Sequence, residues 1–150
     1  MNKAVNTMDD LHGYYYEDLK EGMTDTFSKT VTEADITNFA DISGDTNPAH
    51  LNKEFAAKTI FKDCIAHGML SVGFISAALG TKLPGPGAIY VAQNLRFKAP
   101  VKAGDTVTAR VTVTKLVPEK RFVELETVCT VNDKPVIIGE ATMMVSSREA

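Results

Sequence analysis

The chain has 150 residues, 44% of them hydrophobic and 23% charged, with a formal charge of -3. A chain this long forms one domain burying roughly two-thirds of its unfolded surface, and its composition excludes a wholly disordered protein. The acidic balance, with neither a basic patch nor an RNP-type aromatic signature, argues against a nucleic-acid partner.

Residues 1–13 show no periodicity and are expected to be a loose tail, with a single domain over 14–150. The stretch MNKAVNTMDDLHGYYY lacks the basic start and apolar segment of a secretory signal, so a cytoplasmic location is expected. Cys64 and Cys129 fit reduced core thiols better than a disulfide framework. The adjacent tyrosines at 14 to 16 point in different directions and suit packing at a sheet edge or subunit contact.

Asp25 to Val31 reads as a first short strand. Thr32 is a natural helix N-cap, with Glu33 and Asp35 in the first turn and Ile36, Phe39 and Ala40 as an apolar stripe. Gly44 closes that helix in a left-handed conformation. Asn47 precedes Pro48 and is biased to extended backbone, which makes Asp45 to His50 a short stiffened turn. Asn52 to Thr59 is expected to hold a brief helix with Phe55 as its buried residue.

Gly68 to Thr81 is almost wholly apolar or small, broken only by Ser71, Gly73 and Ser76. A helix apolar all round belongs in the interior, and this one falls short of the about 20 residues a bilayer requires. Four strands follow with period two: Ile89 to Phe97, Val107 to Val113, Val123 to Val131 and Ile137 to Val145. Short links between them predict an antiparallel meander. Helices first and strands after indicate an α+β domain in which a curled antiparallel sheet wraps around the long central apolar helix. The sheet edges then need cover, which a second subunit can supply, so a homodimer is expected.

The chemistry-bearing residues gather in SGDTNPAH, Ser43 to His50. A calcium loop is excluded there, because Ala49 stands at its fifth position and no Glu closes twelve residues. Asp45 and His50 alone are too few for zinc, and no metal is expected. They suit acid and base work on a water. At the head of the apolar helix, His67 and Gly68 present unpaired backbone N–H groups and the positive end of a dipole, as an oxyanion hole for a polarised thioester requires. His67 itself reads as a hydrogen-bonded structural histidine, and Ser76 as a serine bonded back to a carbonyl one turn earlier.

The order SGDTNPAH, AHGM from Ala66, AIYVAQNLRF from Ala88 and KAPVKAGD from Lys98 resembles the MaoC-like hot-dog family, most closely its (R)-specific enoyl-CoA hydratases. The likeness runs over about residues 25 to 147. It implies reversible hydration of a trans-2-enoyl-CoA to the (R)-3-hydroxyacyl-CoA without metal or organic cofactor. By that resemblance Asp45 and His50 are the catalytic pair, Gly68 binds the thioester oxygen, and Asn47 and Ser76 support the site. Arg96, Lys98 and Lys102 are candidates for the phosphates of the acyl-CoA substrate. The alternatives are a dehydratase of the same fold on carrier-protein, branched or dicarboxylic thioesters, a hot-dog thioesterase, and a silent acyl-CoA-binding module.

Overall fold

The computed structural model describes residues 8–149. They open with one helical turn, α1 (Met8–Leu11), after which Gly13 and Tyr14 donate to the carbonyls of Pro86 and Pro84 at 2.8 and 2.9 Å. The loose tail expected through Gly13 is thus corrected at this end, because two hydrogen bonds and the stacking of His12 on Tyr15, 3.9 Å between centroids, fix the chain. Residues 1–7 lie outside the described residues. The three tyrosines divide as their alternating directions require: Tyr16 packs on the core and donates to the Phe122 carbonyl at 3.2 Å, while Tyr14 stays exposed.

Strand β1 (Thr24–Thr30) leads into α2 (Glu33–Ser43), where Thr32 and Asp35 form a reciprocal capping box. Two short helices, α3 (Pro48–Leu51) and α4 (Lys53–Ala57), precede the long α5 (Gly68–Thr81). Phe55, the expected buried residue of the helix over Asn52 to Thr59, is 49% exposed, and Ala56 is buried instead. Asn52 caps a helix of only five residues, which turns Ala56 toward the core.

Strands β2 (Ala88–Phe97), β3 (Thr106–Val117), β4 (Phe122–Val131) and β5 (Lys134–Val145) complete a five-stranded antiparallel sheet in the order β1-β3-β4-β5-β2. Only β3, β4 and β5 form the expected meander; β2 pairs with β5 at the far edge. The link 98–105 is no hairpin turn: Ala66 donates to Val101 and Gly104 to Val31, both at 2.7 Å, and the link carries the chain from the edge strand β2 across to β3, beside the opposite edge.

Alternation sends Val107, Ala109, Val111, Val113, Val123 and Leu125 to one face, all buried. Register sets Ala109 opposite Cys129 and Val113 opposite Leu125. That face curls over α5 and buries Phe74, Ile75, Ala78 and Leu79, each large side chain contributing about 1.5–3 kcal/mol. The helix is not enclosed all round. Met69, Gly73, Ser76 and Gly80 form an exposed stripe, because the sheet of a single chain covers one side only. No helix among the described residues is long and apolar enough to cross a membrane.

Candidate active site

Gly44 ends α2 at φ +81°, a conformation that glycine adopts without a Cβ clash, and its N–H returns to Ala40 at 2.9 Å. The chain turns at once into the acidic segment. Ser43 Oγ accepts the Asp45 N–H at 3.1 Å, and Asp45 Oδ1 accepts the Asn47 N–H at 3.2 Å. Asn47 Oδ1 then accepts the Ala49 N–H at 2.9 Å, capping α3 with Pro48 at its first position. Only the first half of the expected turn is a turn; His50 rides on the helical turn that Asn47 caps.

His50 is nearly buried, and its Nδ1 lies 2.7 Å from the Ile65 carbonyl. A carbonyl only accepts, so Nδ1 carries the proton and Nε2 is left bare in the neutral ring. That Nε2 stands 4.0 Å from Asp45 Oδ2, whose side chain is half-exposed. The separation is too long for a direct hydrogen bond.

His67, 2% exposed, caps α5 and donates from Nε2 to the Asp45 backbone carbonyl at 2.9 Å. Its ring stacks on His50 with centroids 3.8 Å apart and planes 27° apart, and it meets Phe39 at 4.8 Å. The next residue, Gly68, opens the helix under the Phe97 ring. A Cβ at Gly68 would lie 2.5 Å from Phe97 Cε1.

A cavity of about 440 Å³ opens at this helix start, lined among others by Phe61, Ile65, Gly68, Ser71, Phe97 and Val101. His50 also lines a smaller, more polar hollow of about 270 Å³ with Lys53 and Lys102. The smaller hollow is lined by Glu33 and Asp63 as well as by the two lysines, so its charges balance, and His50 stands on its wall.

The fold supplies a third potential metal ligand, since ligand atoms of Asp45, His50 and His67 lie within 4.8 Å of one another. Two imidazoles and a carboxylate can form a zinc site. Here one nitrogen of each ring is engaged by a backbone carbonyl, which leaves one bare nitrogen on each neutral ring.

Of the residues singled out from sequence, the structure brings Asp45 and His50 to the head of α5, where Gly68 lies, and Asn47 caps the turn that carries His50. Ser76 lies on the exposed stripe of α5, about 12 Å of helix rise from Gly68, and does not line the cavity. Lys98 lines the large cavity and Lys102 the small one, whereas Arg96 is separated from both and lines an outer hollow with Glu126 and Glu140. Alternation along β2 turns it away from Phe97. His67 is the hydrogen-bonded histidine expected from the sequence, here tied to Asp45 within the site, whereas Ser71 as part of the cavity wall was missed. The available signal was their spacing, one helical turn apart at the start of an apolar run.

One long helix cradled by a curled antiparallel sheet, with a carboxylate and an imidazole brought together near the helix N-terminus, defines a hot-dog domain. Residues 18–137 match the family described as MaoC like domain. The chain is 64% identical over 140 residues to an (R)-specific enoyl-CoA hydratase of Rhodospirillum rubrum, covering 93% of this chain and 97% of that one. It is 47% identical to a 3-hydroxybutyryl-CoA dehydratase of Methylorubrum extorquens, over 93% and 89% of the two chains. An unliganded R-hydratase from Pseudomonas aeruginosa superimposes with a TM-score of 0.84 at 43% identity, over 89% of this chain and 86% of that one. This chain belongs to the MaoC-like family.

Proposed function

We propose that the protein is an (R)-specific enoyl-CoA hydratase, a hydro-lyase that adds water across the double bond of a trans-2-enoyl-CoA and runs equally in reverse. The observation that carries this is the 4.0 Å gap between Asp45 Oδ2 and His50 Nε2. Two acceptors at that separation are spanned by one water donating a hydrogen to each, which leaves its lone pair free to attack.

The enoyl thioester lies with its carbonyl oxygen at the Gly68 N–H, where glycine lets an oxygen approach and the helix dipole is positive. Attack of the held water at C3 forms the C–O bond and moves the alkene electrons toward the thioester, whose oxygen gains enolate charge. The Gly68 N–H stabilises that charge where it develops. The Asp45/His50 pair takes the water proton and returns one to C2, so the sum is one water added and no net proton released. The bond from His50 Nδ1–H to Ile65 stabilises the imidazolium as it forms. His67 holds Asp45 from behind.

The acyl chain enters the large apolar cavity, and Lys98 and Lys102 serve the phosphates of coenzyme A. Ser76 continues the stripe that Met69 opens at the cavity, and we assign it a supporting role along that path. A second copy of the chain covers β2, an edge strand whose Ile89, Val91 and Phe97 are about half exposed. Free thiols at Cys64 and Cys129 suit a reducing, cytoplasmic location.

The test uses crotonyl-CoA, with conjugated enoyl absorbance and free thiol followed in parallel. Loss of absorbance without thiol release is the expected outcome, and thiol release in its place identifies a thioesterase. Unimpaired turnover by both Asp45→Ala and His50→Ala overturns the site.

A further inference from the structure

Among the described residues, only two buried side-chain nitrogen or oxygen atoms lack a hydrogen-bond partner: His67 Nδ1 and Ser71 Oγ. Their residues are 2% and 1% exposed and both line the large cavity. They stand four positions apart at the start of α5, on one face of the helix. An orphaned polar atom in the interior is costly, and two on one helix face, in residues that line a cavity, point to something that satisfies both.

The chemistry of the two atoms narrows the guest. His67 Nε2 gives its proton to Asp45, so Nδ1 is a bare acceptor and needs a donor. Ser71 offers a hydroxyl that donates or accepts. A thioester carbonyl cannot donate to His67, and a hydrocarbon chain satisfies neither atom. A water satisfies both. Around them the wall is apolar, with Phe61, Ile65, Val101 and Ile137.

We infer that His67 Nδ1 and Ser71 Oγ hold a structural water inside the cavity, and that this water limits how far an acyl chain extends into it. A chain long enough to expel the water leaves two buried polar groups unpaired and gains nothing polar in return. Short enoyl groups stop before it. Ser71 is thereby a specificity-determining residue of the acyl site, an assignment that rests on the hydratase reading above, whereas the water itself does not.

Two measurements test this separately. A crystal structure of the unliganded protein at a resolution that shows ordered waters is expected to contain one within hydrogen-bond distance of both His67 Nδ1 and Ser71 Oγ, and to lose it in Ser71→Ala. A cavity in which no water touches both atoms overturns the inference. For specificity, Ser71→Thr keeps the hydroxyl while Ser71→Val has nearly the same shape without it. The ratio of kcat/KM for an eight-carbon over a four-carbon trans-2-enoyl-CoA is expected to be about tenfold higher in the Val variant than in the Thr variant. Equal ratios overturn the limit on chain length. Absence of hydration with every chain length in the unmodified protein overturns the hydratase reading, while the crystallographic arm still decides the water.

Discussion

The imidazoles of His50 and His67 are stacked 3.8 Å apart, and each reaches across to the other's segment: His50 to the carbonyl of Ile65, just before His67, and His67 to the carbonyl of Asp45, just before His50. Two turns distant in sequence are thereby cross-tied at the head of α5. Residue 67 is the strut of this arrangement, because its ring supports His50 and its N–H fixes Asp45.

It follows that His67→Ala removes the stack and the tie together, with a loss of about 2–4 kcal/mol of stability from the emptied buried site. The displaced pair lowers kcat by roughly 100-fold. His67→Gln, which can still donate to Asp45, is expected to recover part of the rate. Denaturant midpoints and kcat for the two variants check this, and equal kcat in both would mean that the tie to Asp45 does not matter.

Asp45 and His50 share one water in this scheme, so their contributions are not additive. Asp45→Asn and His50→Gln are each expected to lower kcat by about 100- to 10,000-fold, and the double variant to be little worse than the slower single one. Because Asp45 is half-exposed, the Asn variant should stay within about 1 kcal/mol of the parent in stability. A double-mutant cycle on kcat, with melting curves alongside, makes the measurement.

The thiols separate by environment. Burial between the sheet and α5 pushes the Cys129 thiol up to about 12, so it carries almost no thiolate near neutral pH, and its S–H faces the Ser71 carbonyl at 3.7 Å. Cys64 is partly exposed beside the small hollow. Iodoacetamide at pH 8 is expected to modify Cys64 alone in the folded protein and both residues in denaturant, as counted by intact mass.

Much of this was legible in the sequence because it depends on local rules. Thr32 and Gly44 bracket α2 by capping chemistry alone, and the period-two runs placed the buried faces of β3 and β4. The strand order was not, because β2 pairs with β5 instead of with the next strand in the chain, and the link 98–105 that lets it do so is held by Ala66 and Val31, which no local pattern encodes. The same holds in the site. Asp45 and His50 could be paired by proximity in the chain, whereas the roles of His67 and Ser71 arise only when α5 is brought against that turn. Phe55 misled for a related reason: hydrophobicity says what tends to be covered, and a single chain leaves some of it uncovered.

Gly68 carries the last prediction, because packing and catalysis are entangled there and can be pulled apart. A Cβ at this position meets Phe97 Cε1 and Cδ1 at 2.5 and 2.8 Å, so Gly68→Ala is expected to cost about 1–3 kcal/mol by overpacking. The same methyl crowds the N–H that receives the thioester oxygen and should lower kcat/KM by about 100-fold. Adding Phe97→Leu makes room for the methyl and restores stability, since alanine otherwise suits a helix better than glycine. The rate stays low in that double variant if the methyl obstructs the oxyanion. Recovery of kcat/KM together with the melting temperature would show instead that Gly68 is there only to accommodate the ring of Phe97.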